Sequence, residues 1–148
     1  MNSFLKKAML IAFACVFMIS GALHATAIDE SSEIMPYYAN ARGCVADFDV
    51  ESGYANVSVR YNGVPSAFIK AEISVKIQKR YLLVFWNDVD IGYTNNEWTA
   101  SSTALNGVFS KSFSVNNTGY YRALITVKIY GTSGEVDTIE FTKEYKYE

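Results

Sequence analysis

Hydrophobic and polar residues alternate one by one along most of the chain that follows residue 27. The clearest stretch is 68–78, where apolar residues occupy every second position: Ile69, Ala71, Ile73, Val75 and Ile77. The intervening positions are polar: Lys70, Glu72, Ser74, Lys76 and Gln78. A period of two residues predicts a half-buried strand, with Ile73 facing a core and Lys76 facing solvent.

The same alternation recurs in segments 46–50, 55–61, 109–115 and 121–129, and a last strand runs from Val136 toward Tyr147. Its alternation changes phase near Thr138, which predicts a β-bulge there. Clusters of Gly, Asn, Ser and Pro separate these segments at 51–53, 62–65, 116–119 and 131–134. Short strands separated by frequent turns predict an all-β fold, a single antiparallel β-sandwich.

The segment 117–123 has the spacing of a tyrosine corner, in which a tyrosine entering a late strand hydrogen-bonds back to the preceding turn. Tyr121 would be that tyrosine. By the same analogy, Trp86 is a candidate core tryptophan of an immunoglobulin-like or fibronectin type III-like sandwich. Ala123 stands where an antibody domain has its second cysteine, so no antibody-type disulfide is expected.

The first 27 residues have the pattern of a secretory signal peptide. Lys6 and Lys7 precede an apolar stretch at 8–23, and Ala25-Thr26-Ala27 supplies the small residues that a signal peptidase requires. We expect cleavage before Ile28, an N-terminal arm at 28–42 and the sandwich domain at 43–148. The protein is therefore predicted to be secreted, and to meet a membrane only through the cleaved leader.

Removal of the leader removes the only histidine, His24, and leaves a net charge of about −4. Without histidine, neither a Ser-His-Asp nor a Cys-His arrangement can form. An acidic chain without a basic cluster is not expected to bind nucleic acid. The loop 87–92 fails the EF-hand template, since Gly92 falls where an oxygen ligand is needed, and no metal or other cofactor is expected.

Three carboxylates close in sequence, Asp88, Asp90 and Glu97, leave a small carboxylate-based hydrolase as an alternative, because paired carboxylates suffice for glycoside hydrolysis. A sandwich of this size has little room for a deep cleft, and acidic residues between strands are ordinarily solvated. We therefore expect a protein that is not an enzyme.

Cys44 is the only cysteine left after the leader is removed. No disulfide can then close within the mature chain. The simplest interpretation is a small, buried apolar residue at the start of a strand. The alternative is a disulfide that joins two copies of the chain.

The remaining clue is an excess of aromatic residues, with 11 tyrosines and 2 tryptophans. Outward-pointing rings make adhesive contact surfaces, and Trp98, Tyr93, Tyr37 and Tyr38 are the candidate binding residues. We therefore expect a contact protein whose partner, an unknown protein or glycan, lies at the cell surface or beyond it. A carbohydrate-binding module that stacks sugars on these rings is the alternative.

Four short segments and the two tryptophans, Trp86 and Trp98, form a distinctive set. The segments are Met35-Pro36-Tyr37-Tyr38, Ile77-Gln78-Lys79-Arg80, Lys111-Ser112-Phe113-Ser114-Val115 and Gly119-Tyr120-Tyr121-Arg122-Ala123. With them, the chain resembles a group of small secreted proteins of Gram-positive, often gut-dwelling, bacteria. The resemblance covers about residues 28 to 148. It implies an immunoglobulin-like or fibronectin-like sandwich with no established activity. The chain departs from this pattern at Leu82-Leu83-Val84-Phe85, where the related proteins have a polar turn.

Overall fold

Long alternating segments become long strands in the structure, a computed structural model that describes residues 38–82 and 84–148. This part of the chain forms eight strands and a single 3₁₀ turn at Thr94–Asn96. The strands are β1 (Ala41–Glu51), β2 (Tyr54–Gly63), β3 (Phe68–Tyr81), β4 (Phe85–Asp88), β5 (Trp98–Ser102), β6 (Asn106–Ser114), β7 (Gly119–Gly131) and β8 (Val136–Tyr147). The leader and Tyr37 lie outside the described residues.

The strands form two antiparallel sheets. One has three strands in the order β1-β2-β6, and the other has five, in the order β4-β3-β7-β8 with β5 also paired to β3. The predicted all-β antiparallel sandwich is confirmed. The first, second and sixth strands share a sheet while the third, seventh and eighth share the other, which is the division found in immunoglobulin-type sandwiches. Among the described residues, no helix is long and apolar enough to cross a membrane.

The core fills the space between the two sheets. Every second residue is buried from Ala71 to Ile77 on β3 and from Tyr121 to Ile129 on β7, and these residues are Ala71, Ile73, Val75, Ile77, Tyr121, Ala123, Ile125, Val127 and Ile129. The facing sheet contributes residues that include Val57, Val59, Tyr61, Phe109 and Phe113. The alternation predicted this division between the inner and outer faces correctly, and Ile73 is buried as expected.

Tyr121 begins the buried row of β7 and is fully buried. Its hydroxyl lies 2.8 Å from the Asn116 carbonyl oxygen and 2.7 Å from the Asn117 carbonyl oxygen, in the turn before the strand. Asn117 has a φ of 71°, a left-handed conformation that asparagine tolerates better than most residues. The hydroxyl therefore ties this turn to the end of the core, with the geometry of a tyrosine corner.

The domain starts slightly earlier than its predicted boundary at residue 43, because β1 begins at Ala41. The backbone N–H groups of Ala39, Asn40 and Ala41 donate to the carboxylate of Asp137 on β8, at 3.1, 2.7 and 2.9 Å. The side chain of Asn40 is buried against Gly131, where an added Cβ would come within 1.8 Å of its Oδ1 atom. These contacts fasten the start of the sandwich to its last strand.

Two local predictions about which positions of the alternation face the core are wrong. Ile69 is exposed because the β3–β7 register shifts between Phe68 and Lys70, which turns Ile69 away from the core. The bulge expected near Thr138 is absent from the described β7–β8 pairing, whose register is continuous. The apparent change of phase has a simpler cause, since Val136 is an exposed residue on the outer face.

The prediction that Trp86 lies in the core is also wrong. Trp86 sits on the short strand β4, where its cross-strand partner is Arg80. Arg80 belongs to the outward-facing row of β3, and cross-strand partners share a face of the sheet. Trp86 is therefore a half-buried residue of the outer surface.

Candidate functional site: an arginine–aromatic face

The outer face of the five-stranded sheet carries large charged and aromatic side chains at one end. These residues are Gln78 and Arg80 on β3, Trp86 and Asp88 on β4, Tyr120 and Arg122 on β7, and Lys146 on β8. We call this set the arginine–aromatic face. The strict alternation along β3 and β7 directs these side chains outward, because their neighbours in sequence fill the core.

The Tyr120 ring is contacted by two cations. The guanidinium carbon of Arg80 lies 3.6 Å from the centre of the ring, and Nζ of Lys146 lies 5.9 Å from it. Lys146 is the cross-strand partner of Tyr120, and its ammonium also pairs with Glu148. Cation–π contacts of this kind contribute roughly 0.5–1 kcal/mol each at exposed sites.

A second group of contacts fixes Arg122 beside the first. Its guanidinium carbon lies 4.3 Å from the centre of the Trp86 ring. Its Nε donates to Oε1 of Gln78 at 2.7 Å, and Nε2 of Gln78 donates to Oδ1 of Asp88 at 2.7 Å. Arg122 is thus oriented by stacking on one side and by a hydrogen bond on another, so little of its side-chain entropy remains to be lost on binding.

The opposite end of the same face has a different chemistry. Nζ of Lys70 lies 2.6 Å from Oε1 of Glu72, and the hydroxyl of Tyr130 donates to Oε2 of Glu72 at 2.7 Å. The hydrogen bond from Lys70, followed by that from Tyr130, lowers the pKa of the Glu72 carboxyl. The same bonds raise the pKa of Lys70 and of Tyr130.

A shallow groove of about 540 Å³ runs beside this cluster, along the outer face of β3 between β5 and β7. Its polar lining includes Glu72, Ser74, Thr99, Ser101 and Lys128. The groove is open to solvent, and none of the described residues that line it is aromatic, so these residues offer hydrogen bonds without a stacking platform.

The described candidate binding residues proposed from the sequence have different surroundings, and Tyr37 lies outside the described residues. Trp98 pairs with Val75, an inward-facing residue, and its ring meets the Phe113 ring edge-on at 6.0 Å, so the expectation of an exposed Trp98 is wrong. Tyr38 packs against the core. Tyr93 is exposed, with Nζ of Lys111 5.8 Å from the centre of its ring.

The three carboxylates of the hydrolase alternative have separate partners. Asp88 accepts from Gln78, Asp90 accepts the Gly92 backbone N–H at 2.9 Å, and Glu97 lies 3.8 Å from Nζ of Lys76. Asp88 and Asp90 are exposed. Among the described residues, no group of three or more Asp, Glu, His or Cys side chains is placed to hold a metal ion.

Cys44 is a free thiol, half-buried on β1 and packed against the core. Desolvation by this burial raises the pKa of the thiol to about 11. A thiol with so high a pKa is a poor nucleophile near neutral pH, because the thiolate is the reactive form.

Sequence reasoning missed the two arginines of the arginine–aromatic face. In the sequence, Arg80 belongs to a segment of the family resemblance, and Arg122 belongs to another such segment and to the tyrosine-corner segment, but neither is a candidate binding residue. The available signal was their position, since Arg80 and Arg122 fall on polar positions of the two most regular strands, in the same row as Tyr120 or Gln78.

No family model matches the chain, and no curated protein matches it. Among solved structures it is similar to a crystal structure of catalytically inactive OgpA from Akkermansia muciniphila in complex with an O-glycopeptide (glycodrosocin) substrate. That similarity has a TM-score of 0.37 and 14% identity, and covers 78% of this chain. The chain spans about a third of the length of that protein, 34%. A likeness this weak carries no argument about function.

Proposed function

We propose that this protein is a secreted, non-enzymatic β-sandwich that acts by contact with a partner at the cell surface, through the arginine–aromatic face. The observation that supports this proposal is the fixed arrangement of Arg80 on Tyr120 and of Arg122 on Trp86. Arginine, tyrosine and tryptophan are the residue types that most often dominate binding energy at protein interfaces.

The rigidity of the face supports the same proposal. Each arginine is already stacked on a ring, and Arg122 is also hydrogen-bonded to Gln78, so a partner meets groups held in position before it binds. Guanidinium groups held in this way can form paired hydrogen bonds with carboxylates or phosphates. We therefore expect a partner with acidic groups, and a contact that weakens as salt is added.

The test compares two variants on the same outer row of β7. Arg122→Ala removes a guanidinium from the face, whereas Lys128→Ala removes a cation at the far end of the strand. Binding of the purified, leader-free protein to intact cells of the producing strain is measured for both. We expect Arg122→Ala to weaken binding about tenfold or more and Lys128→Ala to leave it within about twofold.

Two results would contradict the proposal. Equal binding by the two variants would show that the arginine–aromatic face is not the contact surface. Hydrolysis of cell-wall glycans by the protein, abolished by Asp88→Asn or Glu97→Gln, would replace contact with a carboxylate-based activity. Binding to purified glycans that Tyr93→Ala removes would instead favour a carbohydrate-binding module.

A further inference from the structure

The hairpin formed by β3 and β4 exposes a group of apolar side chains at and beside its turn. Tyr81, Leu82, Val84 and Phe85 are 57, 66, 70 and 62% exposed. We call these four residues the hairpin tip. Single exposed apolar residues are common on protein surfaces, but four within five consecutive positions call for an explanation.

The local backbone does not explain why these residues are apolar. Leu82 has a φ of 47°, in the left-handed region that glycine or asparagine adopts more easily. Turns between strands are usually formed by such residues. At Leu82 the chain therefore combines an unfavourable conformation with an exposed aliphatic side chain, and neither stabilises the fold.

The hairpin is layered along its length. Behind Leu82 and Val84 at the turn, Tyr81 pairs with Phe85, and behind that pair Arg80 pairs with Trp86. From the turn inward, the side chains are first aliphatic, then aromatic, and then one aromatic ring paired with one cation. A bilayer presents the complementary order, with hydrocarbon beneath an interfacial layer that favours tyrosine and tryptophan, and phosphate groups outside it.

We propose that the hairpin tip inserts into the interfacial layer of a lipid bilayer, and that Arg80 then contacts lipid phosphate groups. The inference rests on the proposed contact function and names its partner as a membrane surface. It departs from the expectation that only the leader meets a membrane. The leader-free chain has a net charge of about −4, so general attraction to anionic lipid would not produce binding, and the apolar tip would have to contribute.

A second copy of the chain fits the hairpin tip less well. Specific protein interfaces bury about 800 Å² on each partner, which is more than four side chains at the end of one hairpin can supply. In addition, Tyr81 and Phe85 lie on the opposite face of the hairpin from Arg80 and Trp86. Apolar and aromatic groups on both faces suit insertion into a fluid medium better than docking onto one flat surface.

The experiment uses the chain that begins at Ile28. The described strands and the core all lie within a compact unit spanning Pro36–Glu148, so this chain keeps the whole sandwich. Co-sedimentation with phosphatidylcholine vesicles, with and without phosphatidylglycerol, is measured for Val84→Asp and for Val108→Asp. Val108 is a matched control because it is 59% exposed on β6, in the other sheet.

We expect Val84→Asp to weaken vesicle binding roughly ten- to hundredfold on both lipid mixtures, the factor expected when burial of one aliphatic side chain is lost. Val108→Asp should bind as the parent does. Circular dichroism and thermal unfolding of both variants check that they are folded.

A second measurement reports insertion directly. The chain has two tryptophans, so Trp98→Phe leaves Trp86, at the base of the hairpin tip, as the only one. Vesicles should shift its emission to shorter wavelength, and brominated lipids should quench it.

Three outcomes would overturn the inference: no binding to either vesicle, equal binding by the two aspartate variants, or dimers that form without lipid and that Val84→Asp dissociates. If cell binding still depends on Arg122 in any of these cases, the proposed contact function survives and the lipid partner does not.

Discussion

Replacing Tyr121 with phenylalanine removes a single oxygen atom from the tyrosine corner. The ring is fully buried and stays in place, because the two side chains share their shape. The hydroxyl has one hydrogen to donate, and two carbonyl oxygens accept it, those of Asn116 at 2.8 Å and Asn117 at 2.7 Å. The variant therefore tests the link between the turn and the strand without creating a large cavity.

The expected cost follows from that geometry. A typical intramolecular hydrogen bond contributes about 0.5–1.5 kcal/mol to the free energy of unfolding, because water replaces it in the unfolded chain. The turn carbonyls lie near the surface, where water can replace part of the lost bond, and the Asn116 oxygen also has Nζ of Lys79 at 3.4 Å. We expect a loss of about 1 kcal/mol, which for a domain of this size lowers the melting temperature by about 4 °C.

Urea unfolding, followed by tryptophan fluorescence, measures this difference in the free energy of unfolding. If the slope of that free energy against urea concentration is unchanged, the native state is preserved. Tyr54→Phe is the control, since Tyr54 is a 51% exposed tyrosine on β2 and its loss should cost less than about 0.5 kcal/mol. If the Tyr121 and Tyr54 variants lose the same small amount, the hydroxyl bonds do not stabilise the corner. If Tyr121→Phe fails to fold, water does not replace the lost hydrogen bond, and the expected cost of about 1 kcal/mol is wrong.

Further predictions concern the core, the thiol and the charged cluster. Ile73→Ala should lower the free energy of unfolding by about 2–5 kcal/mol and Lys76→Ala by well under about 1, so equal urea midpoints would refute the register of β3. Because burial raises the pKa of Cys44 to about 11, iodoacetamide should alkylate the folded protein at pH 8.5 on the order of a hundredfold more slowly than the unfolded chain; equal rates would refute this. Since the pKa of Glu72 is lowered on folding, its stabilising contribution is present above about pH 4.3 and disappears as the pH falls through the folded value. Glu72→Gln should therefore reduce stability at pH 7 and make no difference at pH 2, as measured by urea unfolding at both values.

Alternation predicted the fold because it is a local property of the sequence. β3 and β7 are 14 and 13 residues long, so the period of two repeats often enough to identify the buried face without reference to other strands. The Tyr121 corner was also predictable, since the turn and the strand that it joins are adjacent in sequence. The bulge that exposes Ile69 was not, because it is a property of the pairing between β3 and β7.

The two tryptophans show why short strands were harder to predict. β4 has four residues and β5 has five, too few for alternation to identify a face. The faces of Trp86 and Trp98 are decided by their partners on β3, which are Arg80 on the outside and Val75 on the inside. Assigning either tryptophan to the core or to the surface therefore required the register, which the sequence pattern does not contain.

The hairpin tip adjoins the arginine–aromatic face at Arg80, and we propose that the two surfaces make separable contributions to binding. Successive apolar residues in a sequence are compatible with a buried strand or with an exposed turn. The pairing of Tyr81 with Phe85 places Leu82 and Val84 in a turn, where both are exposed. Binding through guanidinium groups should weaken with salt, whereas binding through buried apolar area should not. If the membrane inference holds, added salt should reduce the vesicle affinity of the parent and leave a residual affinity that Val84→Asp removes. A salt-sensitive affinity that falls to zero with Val84 intact would assign binding to the arginine–aromatic face alone.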